Sequence, residues 1–213
     1  MISITSLVGI PGGAEAAVHA AREFLTSQQG DDFVLVKLNM KNAFNSVSRT
    51  HLLSICARRC PEIFRLTQLA YGSHGILLVG NSVISSECGV QQGDPLGPLL
   101  FVLAVDDIAR SVSSSLNMWY LDDATLGGPA DIVAADLGRI LPALNEIGLV
   151  ANPLKSEVID VSCGLEFITK SSGIFAALPR AKVVPKMEVE LLGAPIFLKR
   201  SRAQQKLNHN GSV

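Results

Sequence analysis

The sequence predicts an α+β domain, and three observations carry that reading. Phe33 to Asn39 alternates like a strand. Trp119 to Gly128 reads as a hairpin with Asp122 and Asp123 at its tip. Three long stretches, Ala14 to Ser27, Leu96 to about Ser114 and Asp131 to Ile147, read as helices.

Taken in order, residues 6–13 contain glycine and proline and predict a turn before the Ala-rich first helix. Gly30-Asp31-Asp32 breaks that helix. In the strand that follows, Val34, Val36 and Leu38 share one face, while Phe33, Leu35, Lys37 and Asn39 share the other. Its C-terminal end therefore carries polar groups where a cleft can lie. Ser48 is a good N-cap for a helix through Arg59, and Pro61 starts another to about Tyr71. Ile76 to Gly80 and Val83 to Cys88 flank Asn81-Ser82 and predict a second hairpin. Asp94 and Pro95 fit the cap and first turn of the apolar helix from Leu96. Asp106 and Asp107 on that helix point about 100° apart and are not expected to converge on one ion. Gly148 closes the helix that starts at Asp131. Residues 165–184 are ambiguous, 188–196 predict a short strand with a turn, and 201–213 predict a polar tail.

Composition bounds the rest. The 213 residues are 48% hydrophobic, enough for one sizeable core. No apolar run reaches membrane-spanning length, and the first residues lack the charges of a secretory signal. The expectation is an intracellular protein, nuclear or cytoplasmic, with no membrane partner. Cys56, Cys60, Cys88 and Cys163 show no zinc spacing and read as buried thiols of a reducing compartment. The net charge of −1 does not advertise a nucleic-acid binder. From Lys170 onward, however, eight basic residues face only Glu188 and Glu190. Such a strip is a solvated face or a phosphate track.

An Asp-Asp pair at a turn is structural more often than catalytic, because Asp bonds its own backbone there. Four further stretches change that balance. Residues 36–47 (VKLNMKNAFNSV), 89–101 (GVQQGDPLGPLLF), 120–123 (YLDD), 148–157 (GLVANPLKSE) and 191–195 (LLGAP) resemble, in order, the five palm motifs of reverse transcriptases. The resemblance is nearest to the non-LTR retrotransposon type. Residues 12–20 resemble the segment that precedes the first motif in such elements. Each match is weak alone; their order is specific.

The resemblance implies a polymerase palm: an antiparallel sheet with helices packed on one face, partial fingers and little or no thumb. It divides the chain into a fingers remnant (1–32), the palm (33–186), a primer-grip-like segment (187–200) and a disordered tail (201–213). It implies templated addition of deoxynucleoside triphosphates to a DNA primer on an RNA template. Two Mg²⁺ (or Mn²⁺) ions about 3.5–4 Å apart would stabilise the attacking and leaving oxygens. The implied metal ligands are Asp122, Asp123 and the backbone oxygen of Met40, facing position 39. The family has aspartate at that position, and this chain has Asn39. A neutral amide lacks the charge and second strong oxygen that bridge two cations. The expectation is a catalytically defective copy that binds metal weakly.

Other roles follow by the same resemblance. Phe44 would lie under the incoming sugar; by itself it is equally a core residue. Gln92 and Gly93 would lie near the templating base and the nucleotide, or simply form a turn. Lys155 would protonate the departing pyrophosphate, although a lone lysine is ordinarily surface. Leu192 and Gly193 would contact the primer; from the residues alone they form an apolar turn. The alternative reading is a non-catalytic nucleic-acid-binding remnant that uses the basic tail.

Overall fold

The structure is a computed structural model that describes residues 2–4, 10–27, 32–161 and 167–197. Its elements are β1 (Ile2–Ile4), α1 (Gly13–Ser27), β2 (Phe33–Asn39), α2 (Ala43–Ser46), α3 (Arg49–Arg59), α4 (Pro61–Tyr71), β3 (Gly75–Val79), β4 (Ser82–Ser86) and α5 (Gly97–Arg110). There follow β5 (Leu116–Tyr120), β6 (Asp123–Pro129), α6 (Ala130–Glu146), β7 (Glu157–Asp160), α7 (Phe167–Lys170), α8 (Ser172–Ala177), β8 (Lys182–Val184), β9 (Glu190–Leu191) and β10 (Ala194–Pro195).

One six-stranded sheet organises the chain, in the order β1-β5-β6-β2-β7-β8. Its four central strands are antiparallel to one another, and each edge strand joins in parallel. The two-residue alternation of β2 decides how the faces are covered. Val34, Val36 and Leu38 pack with Leu100, Phe101 and Val105 of α5 and with Val133, Leu137 and Ile140 of α6. Leu35 faces the other way and joins Leu116, Met118 and Ile159 under Ala21, Phe24 and Leu25 of α1. Each fully buried leucine or phenylalanine contributes about 1.5–3 kcal/mol by leaving water. Gly127 makes the α1 contact possible, because a Cβ there would sit 2.8 Å from the Phe24 ring.

Capping follows the sequence. Ser48 accepts the His51 N–H at 3.3 Å to start α3. Gly148, at φ +86°, ends α6 in a Schellman arrangement, with Leu149 N–H bonded to the Leu144 carbonyl and Gly148 N–H to that of Asn145. Several boundaries differ from expectation. Helix α5 begins at Gly97, because Asp94 accepts the Leu96 N–H and makes a separate turn first. It ends at Arg110, short of Ser114. The β3–β4 turn is Gly80-Asn81, one residue earlier than expected, because Gly80 takes the left-handed conformation. Asp106 and Asp107 are engaged in ion pairs instead, with Arg59 2.6 Å from the first and 3.6 Å from the second. Cys56 is buried as expected, but Cys88 is exposed.

The ambiguous 165–184 region supplies α7, α8 and β8. The expected tail at 201–213 and Cys163 lie outside the described residues. No helix among those described is long and apolar enough to cross a membrane. The β3–β4 ribbon stands apart from the main sheet, with Ile76, Leu77, Leu78, Val79, Val83 and Ile84 all exposed.

Candidate active site

The β5–β6 hairpin is as tight as a hairpin can be. Tyr120 pairs with Asp123, so only Leu121 and Asp122 form the loop, and Leu121 adopts φ +53°. Asp123 is therefore the first residue of β6. The β2–β6 register places Asn39 directly opposite it. The Asn39 side-chain N–H donates to Asp123 Oδ1 at 3.3 Å. Burial, together with the neighbouring Asp122 charge, pushes the Asp123 carboxyl above its ordinary range; the Asn39 hydrogen bond and Lys37 oppose that shift.

A closed set of hydrogen bonds fixes the end of β2. Asn152 N–H donates to the Asn39 carbonyl at 2.7 Å, and Asn39 N–H donates to Ser156 Oγ at 3.2 Å. The Ser156 hydroxyl, fully buried, donates in turn to the Asn152 carbonyl at 2.9 Å. Met40 forms an isolated antiparallel bridge with Ala151, flanked by the Asn152–Asn39 and Lys41–Val150 hydrogen bonds. In such a non-hydrogen-bonded pair the backbone polar groups of Met40 point away from Ala151, toward the β6 side.

A cleft of about 230 Å³ opens on this face of the sheet. Asn39, Asp123, Lys37, Lys155 and Glu190 border it, together with the β9–β10 turn. That turn is Leu192-Gly193, at φ +50° and +78°, a two-residue hairpin loop that needs left-handed residues in both places. Lys37 is held against Glu157 at 2.7 Å, while Lys155 is exposed.

The structure thus brings Asn39, Asp123, Lys155, Leu192 and Gly193 to one cleft. Asp122 sits next to it on the hairpin. Phe44, Gln92 and Gly93 lie elsewhere. Phe44 stacks on Phe101, with ring centroids 4.6 Å apart. Gln92 and Gly93 are exposed on the loop before α5. Sequence reasoning set Lys37 on the Asn39 face of β2 without giving it a role, and it missed Ser156 and Glu190 as neighbours of the site. The alternation of β2 was enough to place Lys37 beside Asn39, whereas nothing in the sequence signals the hydroxyl bridge of Ser156.

Among the described residues, no group of three or more His, Cys, Asp or Glu side chains is placed to hold a metal ion. Of the donors that the resemblance implies, Asp123 borders the cleft, while Asp122 and Met40 are not among its lining residues. Where a third anion would complete the set, Asn39 presents an N–H₂ group to Asp123. This donor set does not fit a pair of divalent cations, which require bridging anionic oxygens.

A helix-backed sheet whose central hairpin offers adjacent acids to the end of the neighbouring strand is the palm layout of a nucleotide polymerase. The profile described as Reverse transcriptase (RNA-dependent DNA polymerase) matches residues 5–196. The chain belongs to the reverse transcriptase family. It is 26% identical over 191 residues to the Retrotransposable element SLACS 132 kDa protein of Trypanosoma brucei gambiense, over 84% of this chain and 16% of that protein. Among solved structures it is similar to telomerase from Candida albicans bound to a fragment of telomeric RNA, at 15% identity and a TM-score of 0.55, over 72% of this chain and 32% of that one. It is also similar to apo telomerase from Candida tropicalis, at 11% identity and a TM-score of 0.56, over 73% and 33% of the two chains. At these identities the telomerase likeness concerns the fold. The chain spans about 16% of the retrotransposon relative and about a third of the telomerase chains.

Proposed function

We propose that this chain is the palm of a non-LTR-type retrotransposon reverse transcriptase whose nucleotide-adding chemistry has been lost at Asn39. The observation that carries the reading is the amide-to-carboxylate hydrogen bond between Asn39 and Asp123, at a place where the family motif has two facing acids. The family match and the similarity to a retrotransposable element support the lineage.

In the ancestral reaction, Mg²⁺ would have supplied Lewis-acid stabilisation of the attacking and leaving oxygens. In this chain Asp122, Asp123 and the Met40 carbonyl are the remaining donors. Phe44 is assigned to the deoxyribose side of the nucleotide, and Gln92 and Gly93 to the templating base. Lys155 takes the general-acid position, and Leu192-Gly193 the primer backbone. Residues 33–186 are assigned to the palm, with 187–200 as the primer-grip segment and 1–32 as part of the fingers. RNA template, DNA primer and deoxynucleoside triphosphates are the substrates of the intact enzyme on this reading.

The test is primer extension on an RNA template with Mg²⁺. The chain is joined to flanking regions from an intact relative and carries either Asn39 or Asn39→Asp. Extension only with Asn39→Asp is expected. Extension by the unsubstituted chain overturns the claim of lost chemistry. Salt-dependent binding to RNA with extension in neither form favours a non-catalytic binding module.

A further inference from the structure

We infer that Arg49 and Tyr71 are positioning residues that clasp the loop 86–94, and so set where Gln91, Gln92 and Gly93 stand relative to Phe44. The nucleotide-facing role of that loop rests on the function proposed above; the clasp itself rests on geometry.

Arg49 is 7% exposed, and among the described residues it forms no ion pair with a carboxylate. A buried guanidinium survives only if its N–H groups are satisfied. Among the described residues, its hydrogen bonds all go to the loop. Nε donates to the Gly89 carbonyl at 2.9 Å, Nη1 to the Ser86 carbonyl, and Nη2 to the Ser86 hydroxyl at 2.9 Å. The guanidinium also lies over the Tyr71 ring, 5.5 Å from its centroid.

Tyr71 completes the grip from α4. Its hydroxyl donates to Asp94 Oδ2 and accepts the Gln91 N–H at 3.2 Å. Burial and the Asp94 hydrogen bond push the phenol up to about 12, so it remains a donor across the neutral range. The other Asp94 oxygen accepts the Leu96 N–H at 2.9 Å, which ties the grip to the turn before α5.

The same loop is fastened to α2. Val90 N–H donates to the Phe44 carbonyl at 2.7 Å, and Gly89 N–H to the Val47 carbonyl at 2.8 Å. The approach is so close that a Cβ on Gly89 would lie 2.5 Å from the Asn45 backbone. Gly89 is therefore held from both sides, Val90 from α2 and Gln91 and Asp94 from Tyr71, while Gln92 and Gly93 form an exposed tip. Neither Arg49 nor Tyr71 lines the cleft beside Asn39 and Asp123; each acts through backbone and side-chain groups of the loop.

The experiment compares the full chain with Tyr71→Phe, which keeps the ring and its contact with Arg49 but removes the hydroxyl. Amide hydrogen exchange is read residue by residue. Loss of the hydroxyl should speed exchange at Gln91 by about fivefold or more, with β2 and β6 amides unchanged. Arg49→Lys, which lacks the forked donors, should speed exchange at 86–91. Unchanged exchange at Gln91 in Tyr71→Phe overturns the proposal, and so does acceleration spread evenly over the sheet. In the Asn39→Asp chain, Tyr71→Phe should raise KM for the incoming nucleotide and leave kcat. An inactive Asn39→Asp chain would count against the polymerase reading, while the exchange data would still decide the clasp.

Discussion

Asn39→Asp would place a second charge within hydrogen-bonding distance of Asp123. The amide nitrogen and the Asp123 oxygen are 3.3 Å apart. Two unit charges near 4 Å repel by about 1 kcal/mol in water and about 4 kcal/mol at the effective dielectric of a protein surface. Asp123 keeps contact with solvent although its carboxyl is partly desolvated, so a value toward the lower end applies. Losing the N–H···O bond adds about 1 kcal/mol. The expected destabilisation is about 2–3 kcal/mol, a fall in Tm of about 4–12 °C for a domain of this size. Divalent cation should reverse it, because free Mg²⁺ at about a hundred times its Kd contributes about 2.7 kcal/mol. Thermal melts in EDTA and in Mg²⁺, at low salt, read both effects. Asn39→Ala controls for the lost hydrogen bond, since it adds no charge. The reasoning is refuted if Asn39→Asp melts with the parent chain in EDTA, or if Mg²⁺ raises the two Tm values equally.

Three further outcomes follow from named contacts. Ser156→Ala breaks the hydroxyl bridge between Asn39 and Asn152 and should cost about 1–3 kcal/mol in urea unfolding, with Ser156→Thr recovering part of it. Gly89→Ala forces a Cβ against the Asn45 backbone at φ +74° and should destabilise by about 3 kcal/mol or more, visible as a lowered urea midpoint. Burial raises the Asp106 carboxyl, but hydrogen bonds from Arg110 and Arg59 outweigh it and hold the group below its ordinary range. A depressed folded-state value gives stability that is present above the unfolded pKa and lost as pH falls through the folded one. Urea unfolding across the acid range should therefore show that loss, and Asp106→Asn should flatten it. Asp123, raised, has the opposite sign: its contribution declines as pH rises through its folded value.

Local patterning revealed the sheet better than its edges. The alternation of Phe33 to Asn39 gave the strand, its ends and the two faces it presents, because period-two burial is written directly in residue type. The Ser48 cap and the Gly148 stop were legible for the same reason: each is a local backbone requirement. The parallel pairing of Ile2–Ile4 with β5 was not, since nothing local encodes a partner more than a hundred residues away. At the candidate site, order of motifs placed Asn39 and the hairpin acids in one region. The Asn39–Asp123 bond depends on a register that only the folded sheet fixes. Arg49 and Tyr71 passed unnoticed because a basic residue near a helix start and an aromatic at a helix end are ordinary in sequence. Their burial makes them informative.

The β3–β4 ribbon has a practical consequence. Residues 75–86 contain no lysine, arginine, aspartate, glutamate or proline, the usual guards of an open strand edge. Added salt has no charges there to screen, so ionic strength is a poor remedy for self-association through this ribbon. Apolar association weakens on cooling. Concentrated samples should keep best cold, and Leu78→Lys should do more for shelf life than added salt.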